Sequence, residues 1–241
     1  MLLGLRLHTT MEDIIMEKKN LDWSNLGFGY MVTDKRYVSN YKDGQWDAGV
    51  ITEDANVVIN ECAGILQYCQ EVFEGLKAYT TEDGSIVTFR PDLNAERMMD
   101  SCARLEMPQF PKERFLEAID QVVRENAAWV PPYGSGATLY IRPYMFASGP
   151  VIGVKPSDEY QFRTFCTPVG PYFKGGAKPL TLCVSDFDRA APHGTGHVKA
   201  GLNYAMSLHA NVTAHANGYD ENMFLDPGTR TFVEETGGAN F

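Results

Sequence analysis

Residues 76–90 read LKAYTTEDGSIVTFR, in which two β-prone runs meet at Asp83-Gly84. An Asp-Gly pair between apolar runs is a strong signal for a β-hairpin, because both residues tolerate a positive φ. Asp43-Gly44 separates Tyr37-Val38 from residues 49–51 in the same manner. The two turns therefore predict antiparallel hairpins early in the chain.

Apolar periodicity predicts helices and further strands after these hairpins. Residues 94–105 and 111–129 have helical spacing, and Pro111 suits the first turn of a helix. The remaining predicted elements are strands over 161–167 and 180–185, a helix over 202–216 and a hairpin around Asp226-Pro227-Gly228.

Residues 137–146 alternate in character, which is the pattern of a half-buried strand. Leu139 and Ile141 share one face of that strand, and Tyr140 and Arg142 share the other. Polar-tipped residues repeated on one strand face indicate a polar cavity.

These elements predict an α+β (α/β) protein of two domains. Residues 170–178 are rich in glycine and form the clearest hinge, so we expect a small two-layer α/β sandwich with antiparallel hairpins over residues 20–169. Residues 179–241 are expected to begin a larger, barrel-like α/β domain. That part has only about 65 residues, which are few for a domain with a hydrophobic core of its own, so we expect the chain to stop before this domain is complete. Residues 1–19 join no pattern and are expected to lie outside the fold.

Charge and composition exclude several classes of protein. The chain has 241 residues and a net charge of −10, from 21 basic and 31 acidic side chains, so it repels nucleic-acid phosphates and no nucleic-acid partner is expected. No apolar run approaches the roughly 18 residues of a membrane span, and no signal peptide is recognisable. Five cysteines without a C-x-x-C pair favour a reducing, cytoplasmic compartment over a disulfide framework.

Lys199 is the residue that most suggests chemistry. It lies among small residues at a glycine-rich turn, with Tyr204 a little over one helical turn downstream. A partly buried lysine can act as an amine nucleophile or base, although this pattern alone fits an ordinary surface lysine better. His193 and His197 are separated by glycines and have no acidic or thiol neighbour, so no metal site is predicted.

Five motifs resemble, in their order, those of the fold-type IV pyridoxal-phosphate enzymes, and most closely those of the branched-chain amino acid aminotransferases. The resemblance runs from about residue 20 to residue 241, and the order and spacing of the motifs are more specific than any one of them. The motifs are residues 73–79 (FEGLKAY), 89–98 (FRPxxNxxRM), 140–143 (YIRP), 199–204 (KAGLNY) and 235–241 (ExGxxNF).

The resemblance implies a transaminase that uses pyridoxal 5′-phosphate, bound covalently by Lys199. Lys199 would also move the proton at the substrate's Cα. Arg90 is implied to bind the phosphate, Tyr204 the ring oxygen and Glu235 the protonated ring nitrogen. Alternation along the preceding strand supports phosphate binding by Arg90, since it puts Arg90 on the same face as Thr88.

The substrates that the resemblance implies are L-leucine, L-isoleucine and L-valine, together with 2-oxoglutarate and glutamate. Arg142 would help to bind the distal carboxylate of glutamate. A homodimer is also implied, in which the loop around Ile152 and Val154 reaches the neighbouring subunit's pocket. The residues implied to line the substrate pocket are Tyr68, Phe73, Tyr140, Arg142, Ile152, Val154 and Tyr172.

Two alternatives stay open at this point. A D-amino acid transaminase or aminodeoxychorismate lyase is of the same fold type, although Tyr140, Arg142 and the long N-terminal region favour the branched-chain group. The family continues well past the last motif, with a helix start that completes the phosphate site. The second alternative is therefore an inactive fragment that takes up no cofactor.

Overall fold

The computed structural model describes residues 17–171 and 179–239 and divides into two compact units. One unit comprises residues 1–174 and the other residues 175–241. The predicted hinge, residues 170–178, lies mostly outside the described residues, so its conformation stays a prediction.

One antiparallel sheet of eight strands forms the frame of the first unit. The strands are β1 (Arg36–Lys42), β2 (Gln45–Trp46), β3 (Val50–Thr52), β4 (Glu71–Phe73), β5 (Leu76–Thr80), β6 (Ile86–Thr88), β7 (Thr138–Ala147) and β8 (Tyr160–Val169). Their order is β2-β1-β8-β7-β5-β6, with β3 also paired to β1 and β4 to β7. The long strands β7 and β8 therefore lie in the middle of the sheet.

Helices cover one face of this sheet. Phe110 stacks on Phe162 of β8 with ring centres 3.9 Å apart, and Phe115 approaches the same ring at 6.0 Å. The helices are α1 (Gly64–Tyr68), α2 (Pro91–Arg104) and α3 (Lys112–Glu125), followed by a short 3-10 helix (Ala127–Trp129). α3 packs on β8 and β1, and α2 packs on β4, which gives the predicted two-layer sandwich. The predicted helices over 94–105 and 111–129 exist, but the first begins at Pro91 and the second ends at Glu125.

The predicted alternation along β7 is confirmed. Leu139 and Ile141 are fully buried, whereas Tyr140 and Arg142 are partly exposed. Because successive side chains of a strand point to opposite faces, Tyr140 and Arg142 lie on the face away from α3.

Both predicted Asp-Gly turns are confirmed as hairpins. Asp43 and Gly44 have φ of 53° and 81° between β1 and β2, and Gly84 has φ of 82° between β5 and β6. The prediction that Arg90 continues the strand is wrong. β6 ends at Thr88, and Arg90 stands directly before α2 with a φ of 45°. The proline that follows Arg90 starts a helix at once, so the alternation cannot continue.

The expected N-terminal extension over residues 1–19 is too long. Lys18 Nζ donates a hydrogen bond to the Ala127 carbonyl oxygen at 3.0 Å. The backbone N–H of Lys19 donates to the Ala128 carbonyl oxygen at 3.0 Å, and the Lys19 ammonium lies 4.8 Å from the Trp129 ring centre. Lys18 and Lys19 therefore belong to the first unit.

The second unit is a small mixed α/β layer. β9 runs parallel to β10, and β10 runs antiparallel to β11 after the predicted turn at Asp226. The Asp226 carboxylate holds that turn, because it accepts the backbone N–H groups of Thr229, Thr231 and Phe232 at 2.7, 2.8 and 2.9 Å. The elements are β9 (Leu182–Val184), α4 (Gly201–Ala216), β10 (Glu221–Leu225) and β11 (Val233–Thr236), with α4 packed on β10. None of the helices in the described part of the chain is long and apolar enough to cross a membrane.

The packing of the first unit makes a prediction about its thiols. Burial raises the pKa of both Cys102 and Cys166 to about 12, whereas Cys69 is exposed. In the native protein at neutral pH, iodoacetamide should therefore alkylate Cys69 and leave the two buried thiols intact until denaturant is added. Peptide mapping by mass spectrometry measures this, and equal alkylation of Cys102 and Cys69 in the native state would contradict the packing.

Candidate active site

Lys199 lies in the second unit, where a turn-rich loop meets the first turn of α4. Its Nζ donates a hydrogen bond to Tyr204 Oη at 2.9 Å and lies 5.3 Å from the centre of that ring. Lys199 is half-buried, and Tyr204 is exposed on the first turns of the helix. An amine and a phenol are therefore paired at the N-terminal end of α4.

The loop before Lys199 is fixed by the side chain of Asn203, which is 1% exposed. Its Nδ2 donates to the carbonyl oxygens of Thr195 and Val198, both at 2.7 Å. Its Oδ1 accepts from Thr195 Oγ1 at 2.9 Å. One buried amide thus provides hydrogen-bond partners for Thr195 and Val198, and it fixes the backbone from which Lys199 extends.

Glu235 lies on β11, opposite Phe224 of β10. Its Oε1 is 2.9 Å from Nε of Arg189, a residue that is only 7% exposed. Cζ of Arg189 is also 5.1 Å from the centre of the Tyr204 ring, so one guanidinium contacts both Glu235 and Tyr204. Nothing in the sequence singles out Arg189, because an arginine before Ala-Ala-Pro gives no local signal that it is buried.

The side chains of this unit fit the ring of pyridoxal phosphate in type. That group needs an amine for its aldehyde carbon, a hydrogen-bonding group for its ring oxygen and a carboxylate for its ring nitrogen. Lys199, Tyr204 and Glu235 are these three types, and their contacts join them through Tyr204 and Arg189.

Arg142, Tyr140 and Phe73 form a second cluster, in the first unit. Arg142 donates to Tyr140 Oη from Nε at 3.2 Å and from Nη2 at 2.9 Å, and its Cζ lies 4.5 Å from the Phe73 ring centre. A guanidinium held by a phenol and an aromatic face keeps further N–H groups for an anion. Phe28 covers the Tyr140 ring edge-on at 5.5 Å.

The corner between β4 and β5 is held by Glu74, whose carboxylate is fully buried. Arg97 donates to both of its oxygens, each at 2.7 Å, and Asn94 Nδ2 donates to Oε2 at 2.8 Å. A Cβ added at Gly75 would lie 2.3 Å from Tyr140 Oη, so only glycine admits that hydroxyl. The first two motifs of the resemblance are therefore one contact network, which spacing along the chain did not reveal.

The predicted loop around Ile152 and Val154 is attached to α1. Tyr68 donates its hydroxyl to the Ile152 carbonyl oxygen, and the backbone N–H of Val151 donates to the segment before α1 at 2.8 Å. The side chains of Ile152 and Val154 are 74% and 90% exposed. Tyr172 lies outside the described residues, so its place stays a prediction.

Arg90 pairs with Asp92 at the start of α2. Its Nε donates to Oδ1 at 2.9 Å and its Nη2 to Oδ2 at 2.8 Å. This pairing raises the pKa of Arg90 and lowers that of Asp92. In the described part of the chain, Asp92 is the partner of every Arg90 side-chain hydrogen bond, so a phosphate would share or displace this carboxylate.

Most of this chain is similar to known aminotransferases. The family model for amino-transferase class IV matches residues 71–241. The branched-chain-amino-acid aminotransferase of Haemophilus influenzae is 51% identical over 228 residues, which cover 92% of this chain and 66% of that protein. The chain therefore spans about two thirds of the length of this curated relative.

Solved structures of the same kind share the fold. The crystal structure of the Escherichia coli branched-chain amino acid aminotransferase matches with a TM-score of 0.67 and 28% identity, covering 86% of this chain and 63% of that one. The branched-chain aminotransferase of the archaeon Thermoproteus uzoniensis, solved with norvaline, matches with a TM-score of 0.66 and 26% identity, again covering 86% and 63%.

The buried Glu74 carboxylate should make the stability of the first unit sensitive to its partner. Arg97→Met leaves this carboxylate without its cation and is expected to lower the free energy of unfolding by about 3 kcal/mol. Glu74→Gln is expected to cost about 1 kcal/mol, because the Arg97 side chain is 52% exposed and water can solvate its charge. Urea denaturation measures both values.

Arg124→Met is the matched control for this prediction. Arg124 also pairs with a carboxylate, that of Asp120 at 2.6 Å, but at i,i+4 spacing within α3 and with the Asp120 side chain 30% exposed rather than fully buried. We expect a loss of about 0.5 kcal/mol. Equal losses for the Arg97 and Arg124 variants would show that the buried carboxylate has no special dependence on its cation.

Proposed function

The chain belongs to the class IV aminotransferase family, and from that premise we propose that it transfers the amino group of L-leucine, L-isoleucine or L-valine to 2-oxoglutarate. The proposed cofactor is pyridoxal phosphate, bound by Lys199. The observation that carries the proposal is the 2.9 Å hydrogen bond from Lys199 Nζ to Tyr204, in the same unit as Glu235 and within the matched region. The name of the 51% identical relative supports the choice of substrates.

Lys199, Tyr204 and Glu235 of the second unit each have a proposed task. When bound, the cofactor supplies an electron sink for the electron pair released at the substrate's Cα. Lys199 Nζ would hold the cofactor at its aldehyde carbon and would move the proton at the substrate's Cα. The Tyr204 hydroxyl holds the ring oxygen. The Glu235 carboxylate keeps a proton on the ring nitrogen, which a neutral amide would do less well.

Arg90 is proposed to bind the cofactor phosphate. Its planar guanidinium already binds a carboxylate through two parallel hydrogen bonds, of 2.9 and 2.8 Å to Asp92. Phosphate oxygens suit the same two-pronged arrangement. The short connection between β6 and α2 fixes the backbone at this arginine, with its φ of 45°.

The cluster of Phe73, Tyr140 and Arg142 is proposed as part of the substrate pocket, together with Tyr68 and Tyr172. Its aromatic rings suit an aliphatic side chain, whereas the Arg142 guanidinium suits the distal carboxylate of glutamate or 2-oxoglutarate. The cluster thus offers an apolar and a cationic surface to substrates that share one site.

A homodimer is proposed from the exposed apolar side chains of Ile152 and Val154, which would complete the pocket of the partner subunit. Their loop is held on α1 by Tyr68 and by backbone hydrogen bonds, so it presents both side chains in a fixed position. We propose a cytoplasmic location, in keeping with five free cysteines.

The activity is tested with the purified chain, pyridoxal phosphate, 2-oxoglutarate and an amino donor, by measuring glutamate. We expect glutamate from L-leucine and little from D-alanine. Lys199→Ala should lower the rate by on the order of 10²–10⁴-fold, because it removes the group that moves the proton. Lys42→Ala, an exposed lysine of the first unit paired with Glu159, is the control and should leave the rate unchanged.

Two results would contradict the proposal in different ways. A preference for D-alanine would identify a D-amino acid transaminase. No glutamate from either donor would support the inactive-fragment alternative.

Arg142 should discriminate between the two substrates. Arg142→Leu removes a charged hydrogen-bond donor from the proposed carboxylate site, so the KM for 2-oxoglutarate should rise on the order of tenfold to a hundredfold. The KM for L-leucine should change much less. Arg163→Leu is the control, since Arg163 lies on the same sheet face but donates to Gln161 and to the Asp54 carbonyl oxygen. An equal rise for both substrates would refute this assignment.

A further inference from the structure

We propose that Arg189 is a positioning residue of the cofactor site, where it fixes the Glu235 carboxylate and the Tyr204 ring relative to each other. The inference rests on the proposed function, because it concerns the residues proposed to hold the cofactor ring. It assigns a task to a side chain that none of the five motifs contains.

Three contacts of the Arg189 guanidinium carry the proposal. Its Nε lies 2.9 Å from Glu235 Oε1, although the N–H does not point at that oxygen, so the contact is an ion pair rather than a directed hydrogen bond. Its Nη1 donates to the carbonyl oxygen of Asn203. Its Cζ lies 5.1 Å from the centre of the Tyr204 ring, within the range of a cation–π contact.

Burial explains why these contacts act as a unit. Arg189 is only 7% exposed, and a buried cation is costly unless its surroundings compensate for the charge. Glu235 supplies the opposite charge, and the Asn203 carbonyl oxygen and the Tyr204 ring supply further negative potential. Because the guanidinium is planar and rigid, a shift of one of these partners disturbs the contacts to the others.

The same network reaches the proposed nucleophile. The Asn203 side chain fixes the loop that leads into Lys199, and the Asn203 backbone accepts from Arg189. The Lys199 amine in turn donates to Tyr204. Of the three residues proposed to bind the cofactor ring, Arg189 therefore contacts Glu235 and Tyr204. It is connected to the third, Lys199, through Tyr204.

The ion pair is compatible with a task for Glu235 at the cofactor. The contact of Arg189 is through its Nε to Oε1 of Glu235, and a protonated ring nitrogen needs only one carboxylate oxygen. The Glu235 side chain is 28% exposed, so part of it faces away from the arginine. We therefore assign to Arg189 the orientation of this carboxylate and not a direct contact with substrate.

The test compares Arg189→Met and Arg189→Lys with the control Arg230→Met. Arg230 also lies in the second unit and also binds one carboxylate and one carbonyl oxygen, those of Asp188 and Ser185, but not Tyr204 or Glu235. For each variant, absorbance measures the dissociation constant for pyridoxal phosphate and the pH at which the bound cofactor's spectrum changes.

We expect Arg189→Met to weaken cofactor binding on the order of tenfold, the loss of one charge-assisted contact, and Arg230→Met to leave it unchanged. The pH midpoint of the spectral change should move in the same direction as in Glu235→Gln, and the double variant should move it no further. Arg189→Lys should restore part of both effects. Values for Arg189→Met equal to those of the wild type, or losses as large in Arg230→Met, would overturn the inference.

The inference stays testable if the wild-type chain takes up no cofactor, a result that counts against the proposed function and not against Arg189. Urea unfolding of the cofactor-free chain then compares Arg189→Met, Glu235→Gln and the double variant. We expect the double variant to be no less stable than the worse single variant, because the two residues share one contact. Additive losses would show that Arg189 and Glu235 are not coupled and would overturn the inference.

Discussion

The antiparallel pairing of β7 with β8 is the constraint on which the first unit depends. The two strands pair without interruption from Thr138 opposite Val169 to Ala147 opposite Tyr160. Because side chains alternate along a strand, a slip of one residue would turn Arg142 towards the helix-covered face of the sheet and Ile141 towards the opposite face. The register of this one ladder therefore determines both the apolar core and the cluster proposed to bind substrate.

Each unit contains an ion pair in which one member is buried and the other is more exposed. The buried member is an anion in the first unit and a cation in the second. In the first unit the buried member is the anion Glu74, and its partner Arg97 is half-exposed. In the second unit the buried member is the cation Arg189, and its partner Glu235 is partly exposed. In both cases the buried ion is held by several contacts and is rigid, so it fixes the more exposed side chains around it. Buried ion pairs are weak evidence for net stability, but removing one partner is costly because it leaves a buried charge without its counter-charge.

Local chemistry explains which features were predictable from the sequence. The Asp43-Gly44 turn and the alternation around Leu139 depend on residues close together in the chain, and both were predicted correctly. Alternation wrongly predicts Arg90 as part of the strand, because alternation does not show where a strand ends and the proline that follows Arg90 begins a helix. The sequence gives no sign that Lys19 belongs to the fold, because its contacts with Ala128 and Trp129 join residues far apart in the chain and leave no local pattern.

The candidate site likewise combines residues that the sequence indicates with contacts that only the fold reveals. The resemblance indicated Lys199, Tyr204 and Glu235, and the structure joins them by contacts, although their roles stay proposals. It did not indicate Arg189 or the pairing of Glu74, because each depends on a partner far away in sequence. A buried ion is recognised only when the fold brings its partner to it, so neither composition nor spacing could have identified these contacts.

The central claim is that the second unit presents Lys199 as the amine that binds pyridoxal phosphate. The most direct measurement treats the chain with the cofactor, reduces it with borohydride and maps the labelled peptide by mass spectrometry. The account predicts one stable pyridoxyl group, on Lys199, that is absent from Lys199→Ala. Labelling spread over exposed lysines, with Lys199 no more labelled than Lys42, would contradict it.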